Sequence, residues 1–294
     1  MGVRHIGSSV LRKLNFLFPD KLYLTLLYRA EMGEWIDWKN PRSFTEKLQW
    51  LKIYDFKPEY TTMVDKYAVK DYVASIIGKK YIIPTLSVWD NVGDIDWESL
   101  PEQFVLKTTH GGGSGGVVIC SDKSTLDIPK AKEKLATSMH RNAGSVFREK
   151  PYLKVRRRII AERFITNSEN ELKDYKFFCF DGEVRFFKVD FGRFVEHHAN
   201  YYSPEGKLLL FGEADFLPDF NHIEVLPDNL DEMITIAEKL SREFTFLRVD
   251  LYNVAGQIYF GELTFYPAAG FGAFTPAEWD RKLGDLIDLN AKIY

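Results

Sequence analysis

FLRVDLYNVAGQIYFGELTFYPAAG, residues 246–270, reads as two strands joined by a turn. Apolar alternation with β-branched and aromatic residues runs through Val249 and Leu251. Asn253 to Gly256 supply the turn, and the strand pattern resumes from Gln257 to Phe265. Arg248 and Asp250 are two residues apart and so share one sheet face; Glu262 and Thr264 repeat that spacing on the second strand. If the strands pair, two carboxylates and one guanidinium meet on one surface. Acids gathered on a sheet need a cation between them. A hard, oxygen-seeking metal ion meets that need, and so does a plain ion-paired sheet face; both readings stay open here.

The 294 residues carry 39 basic and 42 acidic side chains, a net charge of -3, which excludes a global field drawing the chain to nucleic acid. With 23 Phe and 15 Tyr the chain has ample material for a core and no disorder signature. Its two cysteines, Cys120 and Cys179, fall inside apparent strands and give neither a disulfide framework nor a zinc spacing, so a reducing cytoplasm is expected. No run of 18 apolar residues and no signal-peptide pattern occurs. The basic, apolar opening VLRKLNFLFPDKLYLTLLYRA reads as a helix packed on the protein, with peripheral contact to the inner face of a membrane as the other reading.

Along the chain, residues 1–60 read as a helical segment, with Ser43-Phe-Thr-Glu46 in capping-box form. A helix follows over Asp65 to Ile77, stopped by Gly78. Short strands come next: YIIPTLSVWD, QFVLKTT and, after a glycine run, GVVIC. Lys130 to Arg141 reads as a helix, and the basic stretch up to Arg158 as a seam, giving segments 61–157 and 158–294. RIIAERFI, then DYKFFCF and EVRFFKVD joined at Asp181-Gly182, read as strands. Residues 192–226 are polar and give no periodic pattern. A helix over Leu230 to Glu243 precedes the opening stretch, and Thr275-Pro-Ala-Glu278 predicts a capped last helix with proline at its first position. Antiparallel hairpins with interspersed helices predict an α+β fold.

His110-Gly-Gly-Gly-Ser-Gly-Gly116 matches G-x-G-x-x-G literally, but a strand, not a helix, follows it, and no Gly-Lys-Ser/Thr completes a phosphate loop of the Walker kind. It reads instead as a glycine hairpin whose bare amides are free to fold over phosphates, with a plain long flexible turn as the other reading. Lys107, on the strand that enters it, becomes a candidate phosphate contact. Glu162 is an acid inside an apolar strand, and Asp174 and Lys176 share a strand face. His197-His198 lack a third ligand at recognisable spacing.

In the order Asp65-Lys66, Phe104-Val-Leu-Lys107 with its glycine loop, Ala161-Glu162, Arg248-Val-Asp250 and Glu262-Leu-Thr264, the chain resembles the ATP-grasp fold of carboxylate–amine ligases. SFTEKLQWLK, DKYAVKDYV, LPEQFVLKTTHG and DYKFFCFDG, with the hairpin, resemble more closely the TupA-like proteins of teichuronopeptide biosynthesis, from Ser43 onward. That resemblance implies two α+β subdomains clasping ATP, behind a helical N-terminal segment. It implies that Lys66 and Lys107 hold phosphates, with Gly111, Gly112, Gly113, Ser114 and Gly115 closing over them. Glu162, Arg163, Phe164 and Ile165 would meet adenine. Asp174 would lie at the nucleotide and Lys176 at the γ-phosphate. Asp250, Glu262 and Thr264 would bind Mg2+, and Arg248 would stabilise the oxyanion as an amine attacks an acyl phosphate. Many ATP-grasp ligases have asparagine at the position of Thr264, so a second metal ion is not implied. The expected function is ATP-dependent amide formation between a small-molecule or saccharide carboxylate and an amine, in cell-surface polysaccharide or peptide-polymer synthesis. A glycosyltransferase of such a cluster and a non-catalytic nucleotide-binding module are the alternatives. The segment Phe191 to Asn221, with Arg193, His197, His198 and Tyr201, is the expected place of substrate selection.

Overall fold

The structure, a computed structural model, describes residues 3–141, 143–165, 172–192 and 196–289, and Arg193 lies outside them. The chain divides into two compact units, one of residues 57–145 and 150–172, the other of residues 1–56, 146–149 and 173–294. Every pairing within their sheets is antiparallel, as an α+β chain requires.

The first unit is built on four strands, β1 (Thr85–Trp89), β2 (Phe104–Thr108), β3 (Val117–Cys120) and β4 (Ile159–Arg163), in the order β1-β4-β2-β3. Alternation decides which face is which. Phe104 and Leu106 of β2 join Ile159 and Ala161 of β4, together with Leu135 of the helix Ile128–His140, in a buried apolar cluster. The opposite face carries Lys107 and Glu162. That helix starts on the Asp127 side chain, which accepts from the Lys130 amide. The helix Val69–Ile77 ends at Gly78, where φ is +102°.

The second unit carries a six-stranded sheet ordered β11-β10-β5-β6-β7-β8. Its strands are β5 (Asp174–Phe180), β6 (Glu183–Phe191), β7 (His198–Tyr202), β8 (Leu208–Leu209), β10 (Phe246–Val254) and β11 (Gln257–Thr264). The two-residue strands β9 (Gly212–Glu213) and β12 (Phe274–Thr275) pair with each other. Asp181 and Gly182 both have positive φ, which is the requirement of the two-residue hairpin that joins β5 to β6. The face holding Phe177, Cys179, Phe187, Leu247 and Val249 is buried throughout. Its cover includes the amphipathic helix Leu230–Ser241, where Cys179 Sγ meets the Ala237 carbonyl.

The other face changes character along its strands. At one end Phe178, Phe180, Phe186 and Phe246 form an aromatic cluster with Phe44, whose ring stands 5.0 Å from that of Phe246. Phe44 opens the helix Phe44–Tyr54, and Ser43 and Glu46 form the reciprocal capping box expected there. One alternation further, Phe178 gives way to Lys176, Phe186 to Lys188 and Phe246 to Arg248.

The C-terminal helix differs from expectation. It spans Glu278–Gly284 with no side-chain cap. Thr275 is instead the end of β12, paired with Gly212, and the Thr275-Pro276 peptide is cis. The residue read as a helix cap therefore belongs to a strand. Residues 198–213, which gave no periodic pattern, hold β7, β8 and β9.

Candidate active site

In the first unit, β2 and β3 flank the glycine hairpin as expected, with a single 3-10 turn, Ser114–Gly116, at its end. Gly111 and Gly113 stand at φ +84° and +73°, which disfavours side chains there. Gly116 has no room for one: a Cβ would lie 2.2 Å from Thr108 Oγ1 and 2.3 Å from Ser138 Oγ. Gly111, Gly112, Gly113, Gly115 and Gly116 line a hollow together with Lys66, Arg141 and Arg157, and among the described residues no carboxylate lines it. Lys66 is anchored there by its amide, which donates to the Thr109 carbonyl at 3.0 Å. His110 also lines the hollow; burial, with the Arg157 charge beside it, holds its pKa below the usual imidazole value. Backbone amides, one lysine and two arginines make a lining suited to phosphate oxygens.

Lys107 is not among the residues lining that hollow. Its ammonium lies 2.6 Å from Glu162 Oε2, and Lys70 lies 2.5 Å from Oε1. Lys70 also donates to the Ile83 carbonyl and to Thr85 Oγ1, both at 2.8 Å. Burial would raise the Glu162 pKa, but the two ammonium groups outweigh it and hold the carboxyl below the ordinary 4.5. Arg163 is exposed, with its amide on the Pro84 carbonyl, and Phe164 and Ile165 are half-buried beyond the strand. The sequence does not single out Lys70, since a lysine on a helix gives no signal by itself.

In the second unit, Asp250 stands opposite Glu262 and Arg248 opposite Thr264. Arg248 Nε and Nη2 each donate to Asp250 at 2.7 Å. Nη2 also reaches Thr264 Oγ1 at 3.1 Å and Glu262 Oε1 at 3.4 Å. The cation that the two acids need is thus, in the protein alone, the guanidinium between them. The Asp250 charge raises the Arg248 pKa against the effect of burial. Burial lifts the Asp250 carboxyl to about 6, so it is still ionised at neutral pH.

Across the sheet Asp250 faces Lys176, Lys176 faces Lys188, and Asp174 faces Asp190. Lys176 lies 2.6 Å from Asp174 and also bonds Asp190, and Lys188 lies 2.7 Å from Glu213. The structure therefore gathers Asp174, Lys176, Arg248, Asp250, Glu262 and Thr264 on one charged face and extends it to Lys188, Asp190 and Glu213. Lys188-x-Asp190 repeats the spacing of Arg248-x-Asp250, a signal that was readable in the sequence. Glu213, in the aperiodic segment, gave none.

Among the described residues no group of three or more His, Cys, Asp or Glu is arranged to hold a metal by itself. Mg2+ does not require one, since it takes one or two carboxylates and completes its shell with water and substrate phosphates. Asp250 and Glu262, side by side and with Glu262 a third exposed, fit that donor set.

The sequence model of the TupA-like ATP-grasp family matches residues 46–288. No curated protein matches the chain. Among solved structures, it is similar to D-alanine–D-alanine ligase from Bacillus anthracis complexed with ATP, at 16% identity and a TM-score of 0.41 over 77% of this chain and 63% of that one. It is similar also to an L-amino acid ligase from Bacillus licheniformis, at 13% identity and a TM-score of 0.47 over 80% of this chain and 50% of that one. The chain thus spans less than two thirds of the length of either enzyme. With five-sixths of its length on that family model, 243 of 294 residues, the chain belongs to the TupA-like ATP-grasp family.

Proposed function

We propose that this protein is an ATP-dependent carboxylate–amine ligase. The observation that carries the reading is the β10–β11 hairpin, where one arginine and two carboxylates share a face within a chain of ATP-grasp family. A carboxylate is a poor electrophile; phosphorylation by ATP provides a leaving group that an amine then displaces. Such chemistry needs cations for the phosphates, a donor for the developing oxyanion and exclusion of water. Lys66 and the glycine loop supply a phosphate-binding lining, with Lys107 nearby on the entering strand. Glu162 pairs with the Lys107 ammonium at 2.6 Å and positions it, and the segment Glu162 to Ile165 takes the adenine. Asp250 and Glu262 hold Mg2+, which would neutralise the transferred phosphoryl group, with Thr264 beside them. Lys176 serves the γ-phosphate and Asp174 orients it. Arg248 donates to the oxyanion. Amino acids and sugar acids destined for a cell-surface polymer are the substrate classes this reading favours, and the cytoplasm is its site, where ATP is available.

The test is ADP release with ATP and Mg2+ over a panel of amino acids and uronic acids. Wild-type protein should release ADP only with a matching pair. Glu262→Ala should lower that rate at least 10²-fold while the fold, read by circular dichroism, is retained. Undiminished substrate-dependent ADP release by Glu262→Ala would contradict the assignment.

A further inference from the structure

The aperiodic segment places an imidazole on a buried carboxylate next to this face. Asp190, 2% exposed, ends the charged row of β6. His197 Nε2 donates to Asp190 Oδ1 at 3.0 Å, and the His197 ring packs on Phe216 with centroids 4.1 Å apart. The His197 side chain keeps 28% of its surface exposed. Its neighbour is employed differently, for His198 Nδ1 donates to the Leu217 carbonyl at 2.9 Å and its ring stacks on Phe191.

A carboxylate accepting from one imidazole nitrogen fixes the ring's orientation and tautomer, and leaves the other nitrogen as the base. Here the carboxylate takes Nε2–H, so Nδ1 carries the lone pair. The charged groups around the ring are Asp190 itself, Lys176 and Lys188 on the same carboxylate, Glu213 beyond Lys188, and the exposed Glu196 beside His198. Asp190 stands on the face that carries Arg248 and Asp250, two strand spacings or about 10 Å from β10.

We infer that His197, oriented by Asp190, is the general base that deprotonates the amine substrate. This rests on the ligase reading above. An amine in water at neutral pH is mostly ammonium and has no lone pair with which to attack. In the step assigned here the proton leaves the ammonium nitrogen for His197 Nδ1. The freed lone pair forms the C–N bond to the acyl phosphate, the C–O bond to phosphate breaks, and inorganic phosphate departs with that electron pair, taking up the second proton that the nitrogen sheds as the amide forms.

Two nucleophiles separate the base from the rest of the site. Hydroxylamine is unprotonated at neutral pH and needs no base to attack an acyl phosphate, whereas an amino acid does. With ATP, Mg2+ and the panel of carboxylates, wild-type protein should form both hydroxamate and amide. His197→Gln should keep hydroxamate formation within about twofold and lose amide formation about 10²- to 10⁴-fold. Its amide rate should climb with pH as free amine accumulates, and added imidazole should restore part of it in His197→Gly. Equal loss with both nucleophiles, or no loss with either, would overturn the base. Absence of both products from wild-type protein would instead overturn the ligase reading and the base with it.

Discussion

Held between Lys70 and Lys107, the Glu162 carboxylate is buried yet charged, and that has a consequence for stability. Its folded pKa lies below its unfolded 4.5, so the folded state binds fewer protons. The stability it contributes is fully present above pH 4.5 and is lost as pH falls through the lowered folded value. Glu162→Gln should destabilise the protein at pH 7 by about 3 kcal/mol, because two part-buried ammonium groups lose their partner. Its melting temperature should also fall less steeply than wild type below pH 4.5, as thermal melts across pH 3 to 7, on the order of five points, would read. Parallel curves would show that the carboxylate carries no such linkage. Individual residues were legible where spacing spoke for them. Arg248, Asp250, Glu262 and Thr264 share a face because strands alternate, and the sequence shows that spacing directly. Lys70 was hidden, because only the fold brings a residue of the helix Val69–Ile77 to the strand of Glu162.

At the scale of elements, the hairpin owes its geometry to one glycine. The β10–β11 register slips between Asp250 and Leu251, so that Asp250 pairs with Glu262 while Leu251 pairs with Phe260. Gly261 is the extra residue, and a Cβ on it would lie 2.9 Å from the Asp250 carbonyl oxygen. Backbone cannot yield as a side chain does. Gly261→Ala should therefore move Glu262 relative to Asp250, lowering ADP release more than tenfold and stability by about 1–3 kcal/mol. Wild-type turnover in that variant, measured beside its melting temperature, would show that the bulge does not set the site. Local chemistry made the hairpins readable, since Asp181-Gly182 carries its own turn signal. Strands β8 and β9 have two residues each, too short for an alternation to show, and β9 is held by a partner distant in sequence, so no local pattern announces them. Thr275 shows the converse, a good local cap motif overridden by pairing with Gly212.

At the scale of the molecule, a net charge of -3 conceals a segregation of charge. In one unit a glycine-rich hollow is lined by Lys66, Arg141 and Arg157, with no acid among the described residues that line it. In the other, Asp174, Asp190, Glu213, Asp250 and Glu262 share a face with Lys176, Lys188 and Arg248, five acids against three basic side chains. One lining suits phosphate and the other suits magnesium and an ammonium ion, the reactants of amide formation driven by ATP. Composition averages over both and shows neither. The central claim is that a substrate carboxylate is phosphorylated before the amine attacks it. Amino acids and uronic acids labelled with 18O in the carboxylate, turned over with ATP and Mg2+, test it directly. Each ligation should carry one labelled oxygen into inorganic phosphate, read by mass spectrometry. Amide formed with unlabelled phosphate would contradict the acyl phosphate, and with it this account of the site.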